Sequence, residues 1–438
     1  MTAIKVIGAG LAGCEATWQI AQRGIKVELY EMKPLKKSPA HHSNNFAELV
    51  CSNSLKASRF GSASGMLKQE MRMLNSLLLQ CADKCSVSAG GALAVNRDDF
   101  SAMITEKIKT HPNITVIPEE ITDIPKNSIC IIATGPLTAD ILAENIKAKF
   151  GGALSFFDAA APIVTAQSID FNNAFYASRY GKGNADDYIN CPLNKEEYET
   201  FYHELINAER TPLKDVDVQN PKVYEGCMPI EVMAQRGENT IRFGPMKPVG
   251  LTDPKTGHRA WAVLQLRKEN NEGTLYNLVG FQTNLKFPEQ KRVFSLIPAL
   301  RNAEFVRYGV MHRNTFINSP KLLNADFSLR ENPMIFFAGQ ITGVEGYMES
   351  GASGLIAGIN SARLFSGKPL VNFPKETMMG ALSRYISDSS VSNFQPMGAN
   401  IGILPSLEEE IRDKRLKAEK MAERSFSILQ QFIFDNSL

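Results

Sequence analysis

The chain opens on a short apolar-rich run, Ile4-Lys5-Val6-Ile7, that ends in a glycine turn. From Gly13 to Arg23 apolar residues recur at helical intervals (Ala16, Ile20, Ala21), and Gly24 follows as a stop. Val27-Glu28-Leu29-Tyr30-Glu31 then predicts a second strand. Strand, helix and strand in this order form the opening of a doubly wound parallel sheet.

Further along, Lys33 to Ser62 is polar and predicts a long, partly mobile loop. Met66 to Leu79 predicts one helix, with Met66, Leu67, Met71, Leu74, Leu77 and Leu78 on its apolar face. Asp98 or Asp99 is the expected cap of a helix carrying Phe100, Met103, Ile104 and Ile108. Ile114–Ile117 and Ile129–Ala133 read as short buried strands. Between about 170 and 325 the texture changes. Ala260, Ala262, Leu264 and Leu266 alternate as one face of a strand, after a turn at Asp253-Pro254-Lys255-Thr256-Gly257. Pro333 to Gly339 restores the parallel-strand pattern, and Ser350 to Leu364 predicts a helix behind it. A polar loop (388–405) and a charged helix (407–431) close the chain. The expected fold class is therefore α/β: a doubly wound Rossmann-like domain interrupted by an inserted α+β domain. Its parts are 1–170, the insertion 171–325, and a second part with a C-terminal helix, 326–438.

Composition narrows the function classes. Of 438 residues 44% are hydrophobic and 21% charged, which excludes a disordered or collagen-like chain. A formal charge of +2 gives no global sign of nucleic-acid binding, so any such surface is local. Seven cysteines without regular spacing argue against a disulfide framework and for a reducing compartment. No apolar run nears the ~18 residues of a membrane span, and the first residues do not form a secretory signal. A cytoplasmic enzyme without a membrane partner is expected.

Gly8-Ala9-Gly10-Leu11-Ala12-Gly13 matches the G-x-G-x-x-G dinucleotide turn. Gly8 permits the tight turn, Gly10 lets a pyrophosphate approach the backbone, and Gly13 allows close helix–strand packing. Glu31, at the end of the next strand, places a carboxylate where it accepts ribose hydroxyls and repels a 2′-phosphate. FAD is preferred over NAD because two later segments have flavoprotein character. Ile131-Ile132-Ala133-Thr134-Gly135 is one, and Phe336-Phe337-Ala338-Gly339-Gln340 is the other, with Gln340 where an Asp is usual. The helix expected through Gly351, Ala352 and Ser353 points its dipole at the flavin pyrimidine edge. The interrupted domain is thus read as FAD-binding.

Cys51 lies in Leu49-Val50-Cys51-Ser52-Asn53. Cys227 stands before Pro229, which suits the first position of a short helix reaching Arg236. A thiol at a helix N-terminus has a larger thiolate fraction. For each, a buried structural cysteine is the competing reading. Cys14, Cys130 and Cys191 carry no chemistry of their own, Cys81 and Cys85 are at most a metal half-site, and no zinc-like spacing occurs, so no metal is expected.

Several longer segments resemble the bacterial folate- and FAD-dependent tRNA (uracil-5-)-methyltransferases, relatives of the wobble-uridine-modifying flavoproteins. They are Gly8 to Ala16, Pro39 to His42, Phe46 to Leu55, the Cys227 segment, Gly280 to Lys286, Tyr308 to Thr315, and Gly339 to Tyr347. The resemblance runs along nearly the whole chain. It implies 5,10-methylenetetrahydrofolate as carbon donor, FAD as reductant and NAD(P)H to re-reduce it. By similarity, Cys227 attacks uracil C6, and Cys51 is the second catalytic thiol that handles the C5 proton. Tyr347 stacks near flavin or folate, or is a core tyrosine. His312 and Arg313 hold flavin, folate or RNA, or serve structure. Lys286, Lys291 and Arg292 meet RNA phosphates or form a solvated charged face, and the same pair of readings applies to Arg412, Lys414, Arg415, Lys417 and Lys420. Aromatics that could stack a base are not identifiable from sequence. Ribosomal RNA is the alternative substrate, and a flavin thiol oxidoreductase without RNA the alternative chemistry. No stable protein partner is implied.

Overall fold

The computed structural model describes residues 2–38, 40–151, 154–181, 183–184, 186–212, 228–391 and 394–438, and only the backbone of 154–158 and 312–315. Its first sheet has six strands in the order Ser328–Leu329, Asn332–Phe337, Cys130–Ile132, Ile4–Ile7, Val27–Glu31, Ile114–Pro118. All neighbours are parallel except the edge pair Ser328–Leu329 and Asn332–Phe337. The strand Cys130–Ile132 is apolar throughout and fully buried, as a central parallel strand covered on both faces is. Register aligns their carboxyl ends: Ile7 pairs with both Tyr30 and Ile132, and Phe337 pairs with Ile132. The chain order reverses between Ile4–Ile7 and Cys130–Ile132, which opens the crevice where doubly wound sheets bind ligands.

The helix Leu11–Ala21 lies two residues earlier than its apolar spacing suggests, because it begins directly at the glycine turn. The expected single helix 66–79 is two helices, Ala63–Met73 and Leu77–Lys84, broken at Asn75 with φ +56°. Ser76 caps the second helix, its Oγ accepting the Leu79 N–H (3.4 Å), and a distant residue reinforces the break. The buried Glu15 carboxylate accepts the backbone N–H groups of Leu77 (3.2 Å) and Leu78 (3.1 Å) and the Ser76 hydroxyl (2.7 Å). It adds to the cap of the helix that starts there, and burial pushes its own pKa up against those donors. Similarly, the 97–110 helix is capped by Asn96, with Asp98 and Asp99 in its first turn rather than at its cap.

The polar stretch 33–62 contains a strand, Ser54–Ala57, paired with Ala92–Val95. Fully buried Lys68 holds it, donating to the carbonyls of Leu55 (2.7 Å), Ala57 (2.9 Å) and Ser64 (3.0 Å). Burial lowers this ammonium to about 8.

The second sheet is antiparallel, in the order Phe175–Tyr176, Tyr188–Leu193, Ala262–Lys268, Leu275–Leu278, Ile163–Thr165, Phe305–Arg307. In chain order it begins at Ile163, before the change of texture near 170. Ala262, Leu264 and Leu266 turn one face to a separate core with Tyr198, Phe201 and Leu205 of the helix Lys195–Asn207. A ribbon of Leu154–Ala159 with Met311–Phe316 leads into and out of this unit. The helix expected from 350 starts at Tyr347 and ends at Phe365, and the terminal helix is Lys414–Asn436, started by Asp413 as its cap. Among the described residues no helix is long and apolar enough to cross a membrane.

Candidate functional site

A cavity opens in the crevice at the strand reversal. Gly8, Ala9, Gly10, Leu11 and Ala12 form one wall, Glu31 the next, Gly135 another, and Gly339, Gln340 and Tyr347 the last. Gly8 has φ +96°, and a Cβ on it would fall 2.7 Å from the Ala133 carbonyl oxygen. A Cβ on Gly13 would fall 1.8 Å from the Gly8 oxygen, so Gly13 serves packing and does not line the cavity. Gly10 differs: nothing lies within 4 Å of where its Cβ would be. No side chain caps the helix that starts behind it. Its first N–H groups therefore have no intrahelical acceptor, and they adjoin open space, which suits a dinucleotide pyrophosphate.

The Glu31 carboxylate is buried at the rim. It accepts the Ala9 N–H (2.7 Å) and the Lys33 N–H (3.0 Å). Each oxygen keeps a lone pair for a ribose hydroxyl. These residues fit FAD as the sequence motif requires. Glu31→Ala removes charge-assisted bonds of about 1.5–3 kcal/mol each. FAD retention is expected to fall by at least tenfold, read from flavin absorbance after gel filtration; undiminished flavin content would remove Glu31 from the ribose site.

Gly339 and Gln340 line the cavity as expected, but Gly351, Ala352 and Ser353 do not. The helix starts three residues earlier than its spacing suggests, and its cavity-facing residues are Tyr347 and Ser350. A Cβ on Gly351 would meet Leu78 at 2.5 Å, so that position faces another helix. Ser353 acts at one remove, its Oγ accepting the Gly339 N–H at 2.7 Å.

Cys51 is half-buried, one residue after Val50 of the cavity wall. Its N–H and that of Ser52 both donate to Oη of Tyr347, at 2.7 and 3.1 Å. Its thiol faces the Ala159 carbonyl at 3.6 Å. Burial, then the neighbouring Cys51, raises the Tyr347 phenol pKa, so the hydroxyl stays protonated while its lone pairs receive the two N–H groups. Tyr347 thus joins the cavity to the cysteine loop.

Three arginines grip the same loop. Arg97 donates to the Leu49 carbonyl (2.9 Å) and makes a two-point ion pair with Glu269 (2.7 and 3.0 Å). Arg267 donates to Asn53 Oδ1 (2.9 Å) and Ser52 Oγ (2.8 Å), and Arg307 donates to the Val50 carbonyl. Arg267, Glu269 and Arg307 belong to the second unit, so this unit builds the far side of the Cys51 loop. Burial depresses the Arg267 and Arg307 pKa values. No sequence pattern marks these arginines; the one available trace is that Arg267 and Glu269 continue the alternation of the strand Ala262–Lys268 to its end and just beyond.

Cys227 lies outside the described residues. The chain resumes at Met228, and Pro229 is the cap of a short helix, Ile230–Ala234, not its first residue as expected. This helix is docked by Glu231, which accepts Thr283 Oγ1 (2.9 Å) and the Asn284 N–H (2.8 Å). Cys14, Cys81, Cys85, Cys130 and Cys191 are buried, and burial raises Cys81 and Cys130 to about 12. No group of three metal-ligating side chains occurs among the described residues. Of the expected RNA contacts, Lys286 pairs with Glu209 (2.6 Å), and Arg292 pairs with Glu289 (2.8 Å) and with Glu204. Lys291 makes no ion pair among the described residues. In the terminal helix Arg415 pairs with Glu419 and Lys420 with Glu423. The side chains of His312 and Arg313 are outside the description.

The model of the family described as glucose inhibited division protein A matches residues 3–369. The chain is 62% identical over 431 residues to a methylenetetrahydrofolate--tRNA-(uracil-5-)-methyltransferase TrmFO of Acetivibrio thermocellus, covering 98% of each. It is 58% identical over 433 residues to the protein of the same name from Desulfitobacterium hafniense, covering 99% of this chain and 98% of that one. Among solved structures, Aquifex aeolicus GidA aligns over 98% of this chain and 75% of its own, with TM-score 0.68 and 14% identity, a likeness of fold alone.

Proposed function

Because the chain belongs to the glucose inhibited division protein A family, and within it to the methylenetetrahydrofolate-dependent tRNA (uracil-5-)-methyltransferases, we propose that it methylates C5 of a T-loop uridine in tRNA, with Cys227 as nucleophile and Cys51 as second thiol. The observation that carries the placement is the bond from the Cys51 N–H to Tyr347, whose residue also lines the dinucleotide cavity. That bond keeps a half-buried thiol next to the cavity wall, which supports its part in the flavin chemistry.

The chemistry needs what these residues offer. Uracil C5 is a poor nucleophile. Addition of the Cys227 thiolate to C6 forms a C–S bond and leaves C5 enolate-like, so that it attacks the methylene carbon of the folate donor. Cys51, as thiolate, then takes the C5 proton while the bond from the transferred carbon to the folate nitrogen breaks and tetrahydrofolate leaves as the amine; two-electron reduction of the exocyclic methylene left on C5 re-forms the C5–C6 double bond and expels Cys227 as thiolate. Bound FAD, re-reduced by NAD(P)H, supplies the two electrons that take the transferred carbon from the formaldehyde level to a methyl group. Gly10 and the uncapped helix behind it would hold the dinucleotide pyrophosphate, and Glu31 its ribose. Arg97, Arg267 and Arg307 hold the loop that carries Cys51.

The test supplies purified enzyme with FAD, NADPH, methylenetetrahydrofolate and tRNA lacking 5-methyluridine. The modified base is expected at one T-loop uridine, and none should form when S-adenosylmethionine replaces the folate. Transfer from S-adenosylmethionine alone, or onto ribosomal RNA in preference to tRNA, would overturn this reading.

A further inference from the structure

Five aromatic rings of the second unit run from its core to its surface. Centroids of Phe281 and Phe294 are 5.4 Å apart, Phe294 and Phe305 6.4 Å, Phe305 and Tyr308 5.4 Å, and Tyr308 and Phe287 4.8 Å. The outer two contacts are stacked, with interplanar angles of 10° and 14°. Phe281 and Phe294 are fully buried, whereas Phe287 is 49% exposed. A ring at the end of such a stack presents a π face to water and gives up part of the burial open to it.

The stack is braced. Buried Gln290, on the helix Phe287–Phe294, donates to the Gly309 carbonyl (2.7 Å) and accepts the Gly309 N–H (2.8 Å). Phe287 and Tyr308 are thereby tied across two segments. Lys291 and Arg301 line the adjoining hollow, and neither makes an ion pair among the described residues; Glu304 is the one carboxylate beside them. The same segment leads to the thiol. Arg307, next to Tyr308, reaches the Val50 carbonyl, and the Val310 carbonyl accepts the Ala160 N–H (2.8 Å) beside the Ala159 carbonyl that faces Cys51.

We propose that the Phe287–Tyr308 stack is a platform for an unpaired nucleobase of the substrate RNA, with Lys291 and Arg301 meeting the neighbouring phosphates. A flat exposed ring beside unpaired cations is the arrangement that holds single-stranded nucleotides without regard to sequence. Its tie to the Cys51 loop sets a fixed offset between the stacked base and the uridine to be modified. This inference rests on tRNA being the substrate.

The test measures binding of tRNA lacking 5-methyluridine to the flavin-loaded enzyme at fixed salt. Phe287→Ala and Phe287→Leu are expected to weaken binding by about 5- to 150-fold, the range for one lost base stack. Phe287→Trp should bind like the wild type, since it restores a ring. Lys291→Gln should make the salt dependence shallower by about one unit of slope. Flavin absorbance should be unchanged in all, because these side chains lie outside the cavity, and loss of the half-exposed ring should lower the thermal midpoint by no more than about a few degrees. Wild-type affinity in Phe287→Ala, or in Phe287→Leu, would overturn the platform while leaving the methylation reading intact. A change of oligomeric state in Phe287→Ala with unaltered RNA affinity would also overturn it, assigning the face to a protein contact. A wild-type enzyme that neither binds nor methylates tRNA would sink the functional reading and the platform with it.

Discussion

Cys227→Ala is expected to form 5-methyluridine on the order of 10⁴-fold or more slowly than the wild type, the scale on which loss of a covalent nucleophile is felt. Without addition at C6 the uracil ring has no route to an enolate at C5, and no other step replaces that one. The variant should keep its yellow flavin. All described residues that line the dinucleotide cavity come from the parallel-sheet domain, between Ile7 and Ser350 of the chain and none from the second sheet. The decisive measurement uses tRNA containing 5-fluorouridine, whose C5 fluorine prevents the final elimination. Wild type and Cys51→Ala should yield a covalent protein–RNA adduct on denaturing gels; Cys227→Ala should yield none. An adduct that persists in Cys227→Ala and vanishes in Cys51→Ala would exchange the two roles.

Tyr347→Phe should cost about 100-fold in kcat while FAD content stays unchanged. The ring remains on the cavity wall, so flavin binding keeps its apolar contact. What is lost is the one acceptor shared by the N–H groups of Cys51 and Ser52. Leaving a buried donor without a partner costs about 1–3 kcal/mol, so urea unfolding should show a stability loss on the order of 2 kcal/mol. The loop then relaxes, and a shift of about 1 Å at a reacting group is enough to cost about 100-fold. KM for tRNA should change little. Unchanged turnover in Tyr347→Phe would show that the loop is positioned by its three arginines alone.

The dinucleotide turn and its flanking strands were legible because their physics is local. Gly8, Gly10 and Gly13 have their meaning within one turn, and Glu31 stands where the adjoining strand ends. Failures came where a distant residue intervened. The helix predicted over 66–79 is divided at Asn75 and Ser76, polar residues off its apolar face, and the Glu15 carboxylate secures the break by reaching Leu77 and Leu78 from the dinucleotide helix. Gly351, Ala352 and Ser353 are expected at the flavin edge as the entry of a helix whose dipole points there, whereas the helix begins at Tyr347 and its cavity-lining residues are Tyr347 and Ser350. The aromatic stack left no trace either. Its members, at 281, 287, 294, 305 and 308, follow neither a helical nor a strand period, since a helix and an edge strand each supply part of it.

Contiguous residues, then, were enough to establish a nucleotide-binding parallel sheet, its flavin, and two cysteines in segments fit for chemistry. Folding in three dimensions decided which groups surround Cys51: Arg97, Arg267, Arg307 and Tyr347 are separated by up to 250 positions and meet through the packing of two units. Backbone turns and hydrophobic periods act over a few residues and are written in order along the chain. Charge pairs and ring stacks act through space, and their partners are set by how sheets and helices dock.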